Sequence, residues 1–489
     1  MEKVILILYA VPLTFVFSYS IVQLSLVVHY LRRKKRVDLS LQVIDNEEYP
    51  FVTIQLPVYN ELYVVERLID AVASIDYPKE QFEIQVLDDS TDESIALIQT
   101  KVREWQEKGI QIQHVCRSDR QGFKAGALAN GLTIAKGEFM AIFDADFVPK
   151  PDFLIRTLPH FANTNVGVVQ TRWSHLNEDY SLLTRLQAFG LDAHFSIEQS
   201  GRNAGGYFIN FNGTAGIWRK TCIEDAGGWQ SDTLTEDLDL SYRAQLKGWQ
   251  FVYLEDVTSP AELPVEINAI KSQQFRWMKG AAECTRKHSW AVLKAPQLSL
   301  SAKIHAIFHL LNSTTFIWTI WLSLLSVPML WIQNHFQHYP NLFLLSGLFQ
   351  VSLLNLALFY ATSFLKHHTW KNFLWQFPIF LAFMMGLSLH NAIAVIEGYI
   401  GKKTPFIRTP KFNIRKHQDN WTQNKYLKGK LSVVNFFEGF LALYFIFAVF
   451  MAFLLQDYKV LPLHLILSIG FGSICWYTLA HNRLQNNRL

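Results

Sequence analysis

The fold class this sequence predicts is an α/β domain on a mixed, mostly parallel sheet, joined to an α-helical multi-pass transmembrane region. Three observations predict it. Val4 to Val28, Ile304 to Leu365, Asn372 to Ile396, Gly439 to Gln456 and Val460 to Asn482 carry no Asp, Glu, Lys or Arg. Between the first two of these, β-rich runs alternate with helical spacing, the pattern of βα units. Of the 489 residues 50% are hydrophobic, with 37 Phe and 14 Trp, which is aromatic-rich for a purely soluble protein.

Taken in order, Val4 to Val28 is long enough for a helix across the ~30 Å hydrocarbon core. Its basic cluster, Arg32-Arg33-Lys34-Lys35-Arg36, follows it rather than precedes it. That order favours a retained anchor over residues 1–30, with the next domain in the cytosol. Residues 49–303 then read as one α/β domain. Phe51 to Val58 is a strand, Glu61 to Ile75 a helix stopped by Asp76-Tyr77-Pro78, and Phe82 to Leu87 a second strand running into Asp88-Asp89. Gln111 to Val115, Phe139 to Phe143 and Val166 to Thr171 are three more. Acidic motifs thus fall at carboxyl ends of strands, where open α/β sheets bind ligands.

Residues 304–365 suffice for two transmembrane helices, broken near Asn334 to Pro340, and residues 432–482 for two more. The remaining segment poses a topological problem. Nine basic residues, Lys402 to Lys430, and one acid, Asp419, follow it, while Lys366 and Lys371 precede it. By the positive-inside rule both flanks are cytosolic. Residues 372–400 are therefore expected to lie along the cytosolic face, with a basic loop completing the unit 372–430. Pro378 and Gly386 interrupt the segment, and His390, Asn391 and Glu397 make its second half amphipathic, as suits an interfacial helix. Glu438, at the start of the next segment, is read as interfacial.

The net charge of +4 reflects these juxtamembrane loops and points to topology, not to nucleic acid. The four cysteines are scattered without a CxxC pair, so neither a disulfide framework nor a zinc site is expected. There is no GxGxxG or GxxxxGK[ST] motif, which disfavours a dinucleotide fold and a P-loop ATPase.

Four short motifs carry the chemistry. Asp144 and Asp146 are two apart at a strand end, so both can face one side. Paired carboxylates there suit Mg²⁺ or Mn²⁺, hard cations that take oxygen ligands and bridge to a diphosphate. With Asp88-Asp89 they form two acidic strand ends. Thr235-Glu236-Asp237 reads as a helix start, Thr235 being its cap. Gln273, Arg276 and Trp277 stand at i, i+3 and i+4 on one helical face. There a planar Arg can chelate phosphate oxygens and a Trp can stack on a sugar ring.

In this order the motifs resemble the "D, D, D, QxxRW" signature of membrane-embedded family 2 glycosyltransferases of the cellulose synthase and cellulose-synthase-like group. A single leading span is closest to the mannan and glucomannan synthases. The resemblance implies a glycosyltransferase A-type fold for the α/β domain. It implies Asp89 on the nucleobase and ribose side of a nucleotide-sugar and Asp144 and Asp146 on its metal-bound diphosphate. It makes Asp237 the general base, with Glu236 beside it in the catalytic pair. Pro57-Val58-Tyr59-Asn60-Glu61 resembles the first donor-site strand end, which brings in Glu61. Arg120-Gln121-Gly122-Phe123-Lys124-Ala125-Gly126 resembles the donor loop, with Lys124 near phosphate. Phe211-Asn212-Gly213-Thr214 resembles the acceptor segment, so Asn212, Gly213 and Thr214 join Gln273 and Trp277 as acceptor-binding residues. Phe406-Ile407-Arg408-Thr409-Pro410-Lys411 resembles the mobile "FxVTxK" gating loop, departing from it at Arg408. Phe406, Thr409 and Lys411 are the gating candidates.

The expected function is inverting, processive transfer of hexose from UDP-glucose or GDP-mannose to a growing β-glycan, extruded across the bilayer. The implied location is a multi-pass integral membrane, the inner membrane if the source is bacterial. Whether an accessory protein guides secretion stays open. A non-processive transferase acting on a membrane lipid is the alternative. A transporter with a regulatory domain is disfavoured, because the apolar segments are nearly free of ionisable residues.

Overall fold

The structure is a computed structural model that describes residues 2–33, 49–335, 342–427 and 431–486. Lys34-Lys35-Arg36, the break at 336–341, and Lys428 and Lys430 lie outside the described residues. After the leading helix α1 (Glu2–Arg32), the α/β domain runs β1 (Val52–Val58), α2 (Val65–Ala73), β2 (Phe82–Asp88), α3 (Ser94–Glu107), β3 (Ile112–Cys116), α4 (Phe123–Ile134) and β4 (Phe139–Ile142). It continues with α5 (Phe153–Thr157), β5 (Val166–His175), α6 (Leu182–Ala193), a π-helical stretch His194–Gln199, α7 (Ser200–Ala204), β6 (Gly216–Arg219), α8 (Lys220–Asp225), α9 (Glu236–Leu246) and β7 (Gln250–Ala261). Helices α10 (Ile267–Lys294), α11 (Leu300–Leu310), α12 (Thr315–His335), α13 (Leu342–Phe364), α14 (Trp370–Tyr399), α15 (Val433–Leu454) and α16 (Leu461–Asn486) follow.

The seven strands form one sheet in the order β3-β2-β1-β4-β6-β5-β7. All neighbours are parallel except the two pairings of β6, which is antiparallel to both β4 and β5. The mixed, mostly parallel sheet is thus the one the sequence predicts. β1 and β2 are buried almost throughout, as expected of parallel strands covered on both faces. Two apolar clusters cover the faces. Leu68, Ile69, Ile98 and Phe153 belong to one, and Leu128, Ile223, Leu240 and Ala244 to the other.

Among the described residues, six helices are long and apolar enough to cross a membrane: Val4–Arg32, Leu300–Ile332, Gly347–Phe364, Trp370–Tyr399, Val433–Leu454 and Leu461–Gln485. They make the chain an integral membrane protein. Much of α15 presents large apolar side chains outward, among them Phe436, Phe440, Leu443, Phe447 and Phe450, as a lipid-facing surface does. α14 is the most enclosed of the six. Its Phe373, Phe377 and Phe380 pack on Leu183, Leu186 and Phe189 of α6, and its far end lies against α10. Where α14 crosses α16, a Cβ on Gly386 would stand 2.3 Å from the Gly470 carbonyl, so only glycine permits this approach.

Glu438 departs from the interfacial reading. It is fully buried on α15, 2.8 Å from Lys271 Nζ of α10. Lys271 also donates to Thr478 of α16 and Asn435 to Glu438. The contacts from Lys271 and Asn435 both fall on Oε2, which offsets the cost of burying this carboxylate, whereas Oε1 has no hydrogen-bond partner among the described residues.

Candidate active site

The register of the parallel strands builds the site. Val58 pairs with Asp88, and Gln55 with Ile142, so β1, β2 and β4 release their next residues along one edge of the sheet. One cavity there is lined by Glu61, Asp89, Lys124, Asp144, Asp146, Asn212, Gly213, Glu236, Asp237, Gln273, Arg276, Trp277, Phe406, Thr409 and Lys411. The structure thereby brings together residues that lie far apart in the chain, from the end of β1 to the loop after α14.

At the β2 side, both oxygens of Asp89 accept from Arg117, each at 2.6 Å, the fork geometry that suits Arg to a carboxylate. Arg117 also donates to the carbonyls of Gln121 and Phe123, which anchors the loop from Arg120 to Gly126. Arg120 lies over the Tyr59 ring, 3.3 Å from its centre. Neither arginine was singled out from the sequence for a role. Arg120 lies inside the donor-loop stretch, whereas Arg117 gives no local signal.

At the β4 end, Lys124 Nζ is 2.6 Å from Asp144 and donates to the Gly213 carbonyl at 2.8 Å. Burial works against its charge, but Asp144 and Glu236 outweigh it and hold the ammonium above its ordinary range. Lys411 Nζ stands 2.5 Å from Asp146, so each carboxylate of the pair is met by an ammonium. Two carboxylates on one cavity wall, each met by a lysine tip from another segment, fit a hard divalent cation, Mg²⁺ or Mn²⁺.

Glu236 and Asp237 open α9. Thr235 occupies the cap position but makes no side-chain cap hydrogen bond; its hydroxyl lies 3.5 Å from Cys284 Sγ instead. Burial, and then the charge of Glu236, push the Asp237 carboxyl up to about 7, against the opposing pull of Lys124. Glu236 is also raised, chiefly by burial. Gly213 adopts a φ of +80°, and a Cβ there would stand 3.0 Å from an Asp237 oxygen. A side chain would be strained and would crowd the space beside that carboxylate.

Among the three residues assigned to the acceptor segment, Asn212 and Gly213 line the cavity. Thr214 does not; it is fully buried, and its hydroxyl accepts from the Asp144 backbone N–H at 2.8 Å. It shapes the Asp144 turn from below. Asn212 Oδ1 is 3.3 Å from His194 Nε2 and accepts from Gln199 at 3.1 Å, both on the π-helical stretch. Such stretches recur at functional sites, and no local pattern in the chain announces this one.

The loop after α14 closes the cavity. Phe406 stacks on Phe123 with centroids 5.5 Å apart and lies 4.8 Å from the Arg276 guanidinium. Thr409 accepts from Arg276 at 2.8 Å, and Arg408 meets Glu61 at 2.6 Å. Burial still raises the Glu61 carboxyl to about 7 despite that partner. Beyond Lys411, the backbone N–H groups of Phe412 and Asn413 donate to Glu262, which also pairs with Arg67 at 3.4 Å.

Residues 50–280 match the family described as glycosyltransferase like family 2. The chain is 46% identical over 266 residues to the probable glucomannan 4-beta-mannosyltransferase 7 of Oryza sativa subsp. japonica, covering 53% of this chain and 46% of that protein. It is 40% identical over 304 residues to glucomannan 4-beta-mannosyltransferase 1 of Cyamopsis tetragonoloba, covering 60% and 58%. To glucomannan 4-beta-mannosyltransferase 9 of Arabidopsis thaliana it is 42% identical over 270 residues, covering 54% and 51%. The chain thus spans about half the length of the curated relatives it matches. Among solved structures, the mannosyltransferase PcManGT from Pyrobaculum calidifontis in complex with GDP-Man and Mn²⁺ superposes with a TM-score of 0.55 at 19% identity. It covers 81% of this chain and 99% of that one, and shares its fold.

Proposed function

We propose, from the match of residues 50–280 to glycosyltransferase like family 2, that this integral membrane protein is an inverting, processive mannosyltransferase. It would build a β-linked mannan or glucomannan from GDP-mannose. The observation that carries this reading is the single cavity shared by Asp144-Ala145-Asp146, Glu236-Asp237, Gln273 to Trp277 and the loop from Phe406 to Lys411. The printed names of the plant relatives support the sugar.

In this reading Asp237 takes the proton of an acceptor hydroxyl as that oxygen attacks the anomeric carbon, and Glu236 keeps Asp237 basic enough to do so. Arg276 and Lys124 face the departing diphosphate, where charge develops. Asp144 and Asp146 would hold a divalent cation, which would supply further neutralisation there. Gln273, Trp277 and Asn212 hold the acceptor. Phe406, Thr409 and Lys411 close the donor end, and Asp89, held by Arg117, lines its nucleoside side.

A base with a value of about 7 predicts a rising limb in kcat/KM centred near pH 7, belonging to the Glu236–Asp237 pair. Because the Glu236 charge raises Asp237, Glu236→Gln is expected to move that limb to lower pH. A limb that stays in place would remove Asp237 from the role of base.

Lys411→Met is expected to tighten Mn²⁺ binding in the absence of nucleotide by on the order of tenfold, because a positive charge leaves the metal position. Electron paramagnetic titration of free Mn²⁺ measures it. Unchanged affinity would place the metal elsewhere.

α14 is proposed to lie along the cytosolic face and not to cross, which leaves five spans. Its two ends both meet the α/β domain or its α10 extension, at Phe189 and at Lys279. The curated relatives are plant proteins and give no support to a bacterial inner membrane. The reading is an integral membrane enzyme with a cytosolic catalytic domain.

The test uses purified protein in detergent with Mn²⁺ or Mg²⁺ and radiolabelled GDP-mannose or UDP-glucose. Insoluble product from GDP-mannose that β-mannanase digests is the expected result. Labelled lipid without polymer would replace this reading with single transfer to a lipid, and product from UDP-glucose alone would overturn the donor.

A further inference from the structure

A second set of metal-ligating side chains lies beside the cavity, at the carboxyl ends of β2 and β3. The register pairs Asp88 with Cys116, and His114, two residues earlier on β3, shares the Cys116 face. Asp88 Oδ2 is 2.7 Å from His114 Nε2, and Cys116 Sγ is 3.4 Å from the same nitrogen. The three ligand atoms all lie within 4.8 Å of one another. No spacing along the chain announces this trio, because it forms between strands.

We propose that Asp88, His114 and Cys116 form a three-ligand zinc site whose fourth position is open to water. Donors about 2.0–2.3 Å from a tetrahedral zinc stand roughly 3.3–3.6 Å apart. The nitrogen and sulfur already have that separation. The nitrogen and carboxylate need to open by about half an ångström, from hydrogen-bond to ligand spacing. A mixed N, S and O set selects zinc over the magnesium or manganese suited to the all-oxygen pair at Asp144 and Asp146. Asp88 is already oriented for the task. Its side chain is 1% exposed, and its other oxygen accepts from the Ser90 backbone N–H at 2.8 Å. Cys116 is exposed, which gives the ion a way in.

The position of the site gives it a consequence. Asp89, which lines the cavity, and its ion-pair partner Arg117 are the residues directly after Asp88 and Cys116. Zinc would tie the two strand ends together immediately before that pair and so stiffen one wall of the cavity.

The test is cobalt and zinc titration of the full-length protein in detergent after removal of bound metal. Cobalt is expected to give an intense near-ultraviolet thiolate-to-metal band, discharged by one equivalent of zinc. The band should be lost in Cys116→Ser and in His114→Ala and kept in Asp146→Ala. Zinc should raise the thermal midpoint of the parent and not of Cys116→Ser. Cys116 is exposed, so Cys116→Ser keeps the fold, and its midpoint without metal verifies this. A band that persists in Cys116→Ser, or no band in the parent, overturns the proposal.

Discussion

Asp237→Asn is expected to lower kcat by roughly 10³-fold, within the 10²–10⁴ span of general acid–base catalysis, while GDP binds as before. The substitution keeps the shape and the bond from the Leu238 backbone N–H and removes only the basic oxygen. It should also make the protein more stable at neutral and alkaline pH. The folded chain holds Asp237 neutral up to about 7. An unfolded aspartate ionises near ~4. This residue's favourable contribution is therefore complete below ~4 and is lost as pH rises through about 7. Asn has no charge to bury, so the thermal midpoint of the variant should exceed that of the parent at pH 8 and equal it near pH 4. If GDP binding vanished with transfer, Asp237 would belong to the donor pocket and not to the proton step.

Lys271→Met is expected to cost about 3–5 kcal/mol, because it leaves Glu438 charged, buried and without its cation. The double variant Lys271→Met with Glu438→Leu should regain most of that loss, since an apolar pair of similar volume removes both desolvation costs. Lys271 precedes Gln273 by two residues on α10. The pair therefore sets the depth of the helix that carries Gln273 against α15 and α16, and on the proposed acceptor role of Gln273 the single variant should raise the acceptor KM more than the donor KM. Thermal unfolding in detergent with steady-state kinetics reads both. A single variant as stable as the parent would show that the pair carries no weight.

What the sequence revealed and what it concealed have a common physical cause. β1 and β2 were legible because parallel strands buried on both faces read as unbroken apolar runs. β6 was missed because four residues, Gly216–Arg219, are too few to set up a period. β7 was missed because its exposed and buried positions alternate irregularly across a register shift against β5. The cavity-lining candidates came from motifs that are local in the chain. The groups that restrain them are not local. Arg117 reaches Asp89 over 28 positions, Lys411 reaches Asp146 over 265, and Lys271 reaches Glu438 over 167. Thr214 shows the complementary failure, since a motif lists a residue without saying which side of the backbone it serves. Arg408, the departure from the gating motif, turned out to hold Glu61.

The contact between Lys411 and Asp146 also bears on the sequence of events in a catalytic cycle. A bare divalent ion arriving at the site would meet an ammonium already seated on Asp146, one of the carboxylates proposed to hold it. An ion that arrives already complexed to a sugar nucleotide brings its own negative charge, which can draw that ammonium off the carboxylate and onto phosphate. Metal and donor are then expected to enter as one unit, giving ordered rather than random addition. The turnover rate would follow the concentration of the metal–nucleotide complex, and excess free metal would bring no further activation.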